Sequence, residues 1–129
     1  MIILDTHAWL WWVSLPKKLG PKARDVVDRA DRIGVCTISC WEVAMLSERG
    51  RIALDRQIEP WIEQALAHPR VEPVPLTSDV AVRAALLERK DFDGDPADRI
   101  IYASARLVGA PLVTRDRRIR AFDPRTAVW

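Results

Sequence analysis

Residues 1–5 read MIILD, an unbroken apolar run stopped by a single carboxylate. Four apolar residues with no polar alternation predict a strand buried on both faces, as in a parallel sheet covered by helices. Outward from there the chain alternates. Residues 6–13 carry helical signal, and Gly20-Pro21 opens a second helix whose Ala23, Val26, Val27 and Ala30 share one face. Residues 35–38 predict a second strand. Ser39 with Glu42 has the capping-box spacing for a helix ending near Gly50. Ile58, Trp61, Ile62, Ala65 and Leu66 keep helical spacing. Residues 71–74 predict a third strand, and Pro73 and Pro75 assign it to an edge. Thr77 or Ser78 caps a helix to about Arg89, and a charged loop covers 91–95. Asp95 is then the N-cap of a helix with Pro96 first and Asp98 third, burying Ala97, Ile100, Ile101, Ser104, Leu107 and Val108 until Gly109 and Pro111 stop it. Residues 112–114 predict a fourth strand and 126–129 offer a fifth. Strands alternating with helices predict an α/β fold, a mostly parallel sheet flanked by helices, as one domain over 1–129.

Composition agrees. The chain has 129 residues, 49% hydrophobic and 29% charged, which suits one core. No apolar run approaches the roughly 18–20 residues of a membrane span, and the N-terminus lacks the basic start and cleavage site of a signal peptide. The expectation is a cytoplasmic protein with no membrane partner. Cys36 and Cys40 stand four apart; a reducing compartment disfavours a disulfide there. With His7 or His68 they supply too few ligands for zinc, so they read as buried thiols. The formal charge is +2, and sixteen Arg stand against four Lys. Codon usage in a G+C-rich genome explains the count. It does not explain why Arg115, Arg117, Arg118, Arg120 and Arg125 crowd around Asp116, where guanidinium forks suit phosphate.

Asp5, Glu42, Asp98 and Asp116 each stand just past a predicted strand or at the head of a helix. Singly, each has an ordinary explanation as a cap or a first-turn acid facing the helix dipole. Together they fall on one edge of a parallel sheet, beyond the carboxyl ends of its strands, where sites form. Like charges brought together raise one another's pKa unless a cation lies between them. Oxygen ligands of this kind suit Mg²⁺ or Mn²⁺, ions that serve phosphate chemistry. Thr6, Ser39 and Thr114 place hydroxyls beside the acids, for water or phosphate, or for N-capping. Arg99 either orients Asp98, meets phosphate or makes a surface ion pair. Arg115 and Arg117 can draw a polyanion toward an otherwise repulsive pocket. His7, two residues from Asp5, is expected to point away from the pocket in a structural role, and His68 before Pro69 reads as a helix terminus. Trp9, Trp11 and Trp12 cannot all face one core on a helix, so at least one is expected at a partner, dimer or base-stacking surface.

The segments ILDTHAWLWW, TISCWEVAML, GDPADRIIYASA and PLVTRDRRI, with Asp5, Ser39, Glu42, Asp95, Asp98 and Asp116 in that order, resemble PIN domains, and among them VapC-type ribonuclease toxins. The resemblance runs over nearly the whole chain. It implies a three-layer α/β/α fold and a Mg²⁺- or Mn²⁺-dependent endoribonuclease. Asp5, Glu42, Asp98 and Asp116 match the family's acidic quartet, which holds the metal that activates water against an RNA phosphodiester. It further implies a homodimer and neutralisation by a cognate antitoxin with a DNA-binding domain; an antitoxin peptide would find an apolar groove between the first helices and the helix carrying Trp41 and Met45. Two other classes share the acidic layout: a phosphoacceptor signalling domain, which would want a lysine where the residues after Asp116 offer arginine, and a non-catalytic RNA-binding module in which the acids are only caps. A haloacid-type phosphatase would want a second Asp at position 7, which is His.

Overall fold

The first five residues do form the middle of the molecule. β1 (Ile2–Leu4) is buried throughout, and it lies third in a five-stranded sheet of order β3-β2-β1-β4-β5. A computed structural model describes residues 1–90 and 92–129; Asp91, at the start of the expected charged loop, lies outside the described residues. The elements follow as α1 (Thr6–Ser14), a 3₁₀ turn (Pro16–Lys18), α2 (Pro21–Arg29), β2 (Ile33–Cys36), α3 (Thr37–Glu48), α4 (Ile58–Leu66) and β3 (Val71–Val74). After these come α5 (Ser78–Leu86), α6 (Pro96–Val108), β4 (Leu112–Val113), α7 (Arg117–Phe122) and β5 (Ala127–Val128).

Every strand pair is parallel. Ile3 lies opposite Gly34 on one side and Leu112 on the other. A Cβ on Gly34 would lie 3.0 Å from the side chains of both Ile3 and Val74, so the glycine lets those side chains pack closely over β2. The chain winds outward from β1 through β2 to β3, then returns to the other side of β1 for β4 and β5. That reversal leaves a crevice beyond the ends of β1 and β4, the place where such sheets bind ligands.

Helices cover both faces. On one, Trp9, Val27, Val35, Val43 and Trp61 form a core, with Trp9 and Trp61 edge to face at 5.2 Å between ring centroids. On the other, Ile3, Phe92, Ile101, Leu112 and Ile119 pack together. The result is the expected three-layer arrangement, with β3 on an edge as its prolines require. No helix among the described residues is long and apolar enough to cross a membrane.

Several local expectations are corrected. β2 begins at Ile33 and ends at Cys36, two residues early, so Ser39 lies inside α3 and is fully buried. The capping box therefore does not form; Cys36 is the N-cap and makes no side-chain bond there. Leu107 and Val108 are 38% and 48% exposed rather than core; Tyr102, Ala103 and Ala105 are buried on α6 instead. Helix α7, capped by Asp116, was not expected. The thiols are free and Cys36 is buried; burial pushes it up to about 11, which leaves it unreactive.

Candidate active site

Asp5 leaves the end of β1 and turns the chain into α1. Its Oδ1 accepts the Ala8 N–H at 2.7 Å, an N-cap contact, and it also takes a hydrogen bond from Thr114. Because Asp5 N donates to Val113 O at 3.0 Å, the carboxylate is fixed to the end of β4 as well as β1. Burial pushes its pKa above the usual carboxylate range; the bonds from Thr114 and Ala8 and the nearness of His7 oppose this without reversing it.

Glu42 comes in from α3, the helix that follows β2. The Thr6 hydroxyl on α1 is hydrogen-bonded to Glu42 Oε1 and, at 3.0 Å, to Ser39 Oγ. Thr6 and Ser39 are both buried, so this hydroxyl chain ties α1 to α3 and sets where the Glu42 carboxylate points. Burial raises Glu42 too, with Asp95 and Asp5 adding repulsion against the Thr6 bond. Asp95 caps α6 through the Asp98 N–H at 2.9 Å, and that cap brings Asp98 to the same crevice. Asp98 is pushed up to about 7, first by burial and then by the charges of Asp95, Glu42, Asp116 and Asp5. Gly94 is forced by this packing: a Cβ there would lie 2.6 Å from Phe92 and 3.2 Å from Asp98.

Asp116 differs. Burial acts to raise it, but hydrogen bonds from the Arg118 side chain and from the backbone of Arg118 and Ile119 hold it below the usual range. Its own N–H donates to Thr114 Oγ1 at 3.0 Å. Arg118 Nη2 sits 3.3 Å from Asp116 Oδ2 and 3.8 Å from Asp98 Oδ2, while Nη1 donates to Asp93 O at 2.7 Å.

Asp5, Glu42, Asp98 and Asp116 thus line one concavity of about 520 Å³, together with His7, Trp11, Asp95, Arg115, Arg117 and Arg118. The opening is acidic at its floor and cationic at its rim. His7 does not point away as expected; it is exposed and lines this cavity. Arg99 does not enter it. The Arg99 guanidinium donates to the carbonyls of Phe92 at 2.9 Å, Ala85 at 3.3 Å and Leu87, closing the end of α5. Arg115 lies over the Trp11 ring at 5.7 Å; Arg118, read from the sequence only as one of the arginines crowding Asp116, and Asp95, read as the cap of α6, both reach the acids. The short helix α7, which the sequence did not reveal, aims Arg118 at the acids.

The carboxylate donors, and the raised pKa values that burial first and neighbouring acids second give Asp5, Glu42 and Asp98, fit a hard divalent cation. Among the described residues, however, no three His, Cys, Asp or Glu side chains are close enough to form a coordination shell. Three of the four carboxylates have a local hydrogen-bond partner: Asp5 in Ala8, Glu42 in Thr6 and Asp116 in Arg118.

An acidic cavity at the reversal point of a five-stranded parallel α/β/α sheet is what relates this chain to known proteins. Residues 2–123 match the PIN domain model, and the chain belongs to the PIN-domain family. Within it the chain is VapC-like: it is 41% identical over 130 residues to Ribonuclease VapC22 of Mycobacterium tuberculosis, covering 99% of this chain and 98% of that protein. Two solved structures share the fold. A toxin–antitoxin complex from Klebsiella pneumoniae aligns with a TM-score of 0.71 at 20% identity, over 100% of this chain and 97% of that one. VapBC2 from Rickettsia felis, bound to a DNA fragment from its promoter, aligns with a TM-score of 0.69 at 15% identity, over 99% and 98%.

Proposed function

We propose that this protein is a metal-dependent endoribonuclease and the toxin of a toxin–antitoxin pair, with Asp5, Glu42, Asp98 and Asp116 as its catalytic and metal-holding groups. The observation that carries the reading is the meeting of these four acids in one cavity, at the reversal point of the sheet. The similarity to Ribonuclease VapC22 supports the choice of RNA as substrate.

Mg²⁺ or Mn²⁺ held by the quartet would supply Lewis-acid polarisation of the phosphate and a lowered pKa for the attacking water. The chain's own residues do the rest. Asp5 is immobilised by β1, β4 and the first turn of α1, which makes it the rigid reference of the site. Thr6 and Ser39 orient Glu42. Arg115 and Arg117 at the rim draw the phosphate backbone in. Arg118 satisfies Asp98 and Asp116 when no other cation does.

Partners follow from the surface. A concavity of about 640 Å³ between the end of α1 and α4, with Trp12, Leu15 and Trp61 on its walls, is a suitable seat for an antitoxin segment. It lies beside the first helices, as expected, but against α4 rather than α3. Val82 and Leu86 on α5 and Leu107 and Val108 on α6 are exposed apolar residues that would be covered in a homodimer. An enzyme that cuts cellular RNA would work in the cytoplasm, and that is the location this reading gives it.

The deciding experiment is cleavage of total cellular RNA with the ends mapped, comparing wild type with Asp98→Ala, with and without EDTA. Defined ends that vanish in EDTA and in the variant are expected. RNA bound but never cut would favour a binding module, and phosphate uptake without RNA cleavage a phosphoacceptor.

A further inference from the structure

A second concavity lies beside the acidic one, and nothing in the proposed reaction uses it. Lys22 of α2, Arg117 and Arg120 of α7, and Arg125 stand around about 630 Å³ of open space, with Val128 and Trp129 at its side. All four cations are exposed. Among the described residues none of them forms an ion pair, whereas Arg118 beside them forms two. Arg117 and Arg120 are three apart on one helix, so they stand on the same side of α7. Four like charges around one hollow repel each other, and an extended polyanion would relieve that repulsion.

Its position says which polyanion. Arg117 lines both this groove and the acidic cavity. Trp129, on the groove side, is edge to face with Trp11 of the acidic cavity at 5.7 Å between ring centroids, so the two concavities share a wall as well as a cation. A strand whose phosphate lies over Asp5 and Asp98 would enter the second groove next. The Trp129 ring offers an aromatic surface to a base, a contact every nucleobase can make.

We propose that this groove holds the single-stranded RNA that flanks the scissile phosphate, its backbone running over Arg117 to Arg120, Lys22 and Arg125. The proposal rests on the ribonuclease reading and adds where the substrate lies outside the acidic pocket. It makes the enzyme a reader of unpaired backbone at this position, with affinity that is electrostatic and tolerant of sequence.

The test is fluorescence anisotropy with a labelled single-stranded RNA oligonucleotide in EDTA, so that nothing is cut. Wild type is compared with the double variant Arg120→Gln/Arg125→Gln and with Arg49→Gln/Arg51→Gln, an exposed pair of equal charge change at the far end of α3. The groove variant should bind about 10-fold more weakly at low salt, and its log K against log salt line should be shallower by about 1.4, near 0.7 for each phosphate it no longer neutralises. The control pair should leave both nearly unchanged, and thermal melting should show all three folded. RNA affinity equal to the control pair's overturns the proposal, and if wild type still cleaves RNA the ribonuclease reading survives that failure. Wild type that neither binds nor cuts RNA brings down both. A groove variant that loses polyglutamate but keeps RNA assigns the groove to an acidic protein segment and also overturns the proposal.

Discussion

Arg118 lies 3.8 Å from Asp98, across the cavity from its nearer partner Asp116. One guanidinium therefore stands between an acid from α6 and an acid from the end of β4, and it is the cation those carboxylates already have. A divalent ion must displace it. Exposed ion pairs contribute about 1 kcal/mol or less, which corresponds to roughly 5-fold in a binding constant. Arg118→Gln should thus bind Mn²⁺ several-fold more tightly than wild type by calorimetry. Equal or weaker binding would show that the arginine is not a competitor.

The metal-free protein should lose stability as pH rises toward neutral. Asp98 has its folded pKa raised to about 7, against roughly 4 in an unfolded chain. Between those values the folded state keeps a proton the unfolded state has released, so stability falls as pH increases and levels off above about 7. One proton limits the slope to about 1.4 kcal/mol per pH unit, and partial exposure reduces it. Asp98→Asn should flatten the melting profile between about pH 4 and pH 7 measured in EDTA. A difference between wild type and Asp98→Asn that does not change over this window would contradict the burial and repulsion assigned to Asp98.

Asp5→Asn should separate function from folding. Asn retains the cap on Ala8 while removing a charge whose burial is unfavourable. RNA cleavage should drop by about 10³, the loss of several kcal/mol of transition-state stabilisation. The melting temperature without metal should hold or rise. A variant that cuts RNA at the wild-type rate would remove Asp5 from the mechanism.

Thr6→Val replaces the hydroxyl that joins Glu42 to Ser39 with a methyl of similar shape. Losing an orienting hydrogen bond of this kind typically lowers metal affinity or activity by about 10- to 100-fold, and the unpaired Ser39 hydroxyl would cost about 1–3 kcal/mol of stability. Steady-state cleavage and calorimetric Mn²⁺ affinity should fall together. If only stability changed, Thr6 would be a packing residue and no more.

How much of this could be read from the chain depends on how local the cause was. Asp5 was legible because an uninterrupted apolar run can only be a central strand here, and the residue after it must sit at the sheet's mouth. The start and end of α6 were legible because Asp95, Pro96 and Gly109 each act within a few residues of themselves, Asp95 by its side chain and the other two by their backbone angles. β2 was displaced because Thr37 and Ile38 are β-branched and Gly34 is not, so propensity favoured the wrong residues; the tight fit of Gly34 under Ile3 and Val74 is a tertiary matter. Leu107 and Val108 were read as core because helical spacing cannot distinguish a face that meets the sheet from one left for another surface. Arg118 and His7 were missed as cavity residues because their directions are set by α7 and by the first turn of α1, neither of which spacing resolves. Arg99 was misplaced because three carbonyls at the end of α5 claim it.

The order of strands also bears on when the hollow can form. Asp5 is made early, yet one of the two strands flanking its own, β4, comes more than a hundred residues later in the chain. Until that strand slides in next to the first one, Asp116 and the Thr114 hydroxyl are missing and the hollow has no second wall. An unfinished chain therefore cannot assemble the acidic hollow, and whatever chemistry the hollow supports must wait for the last strands to be made.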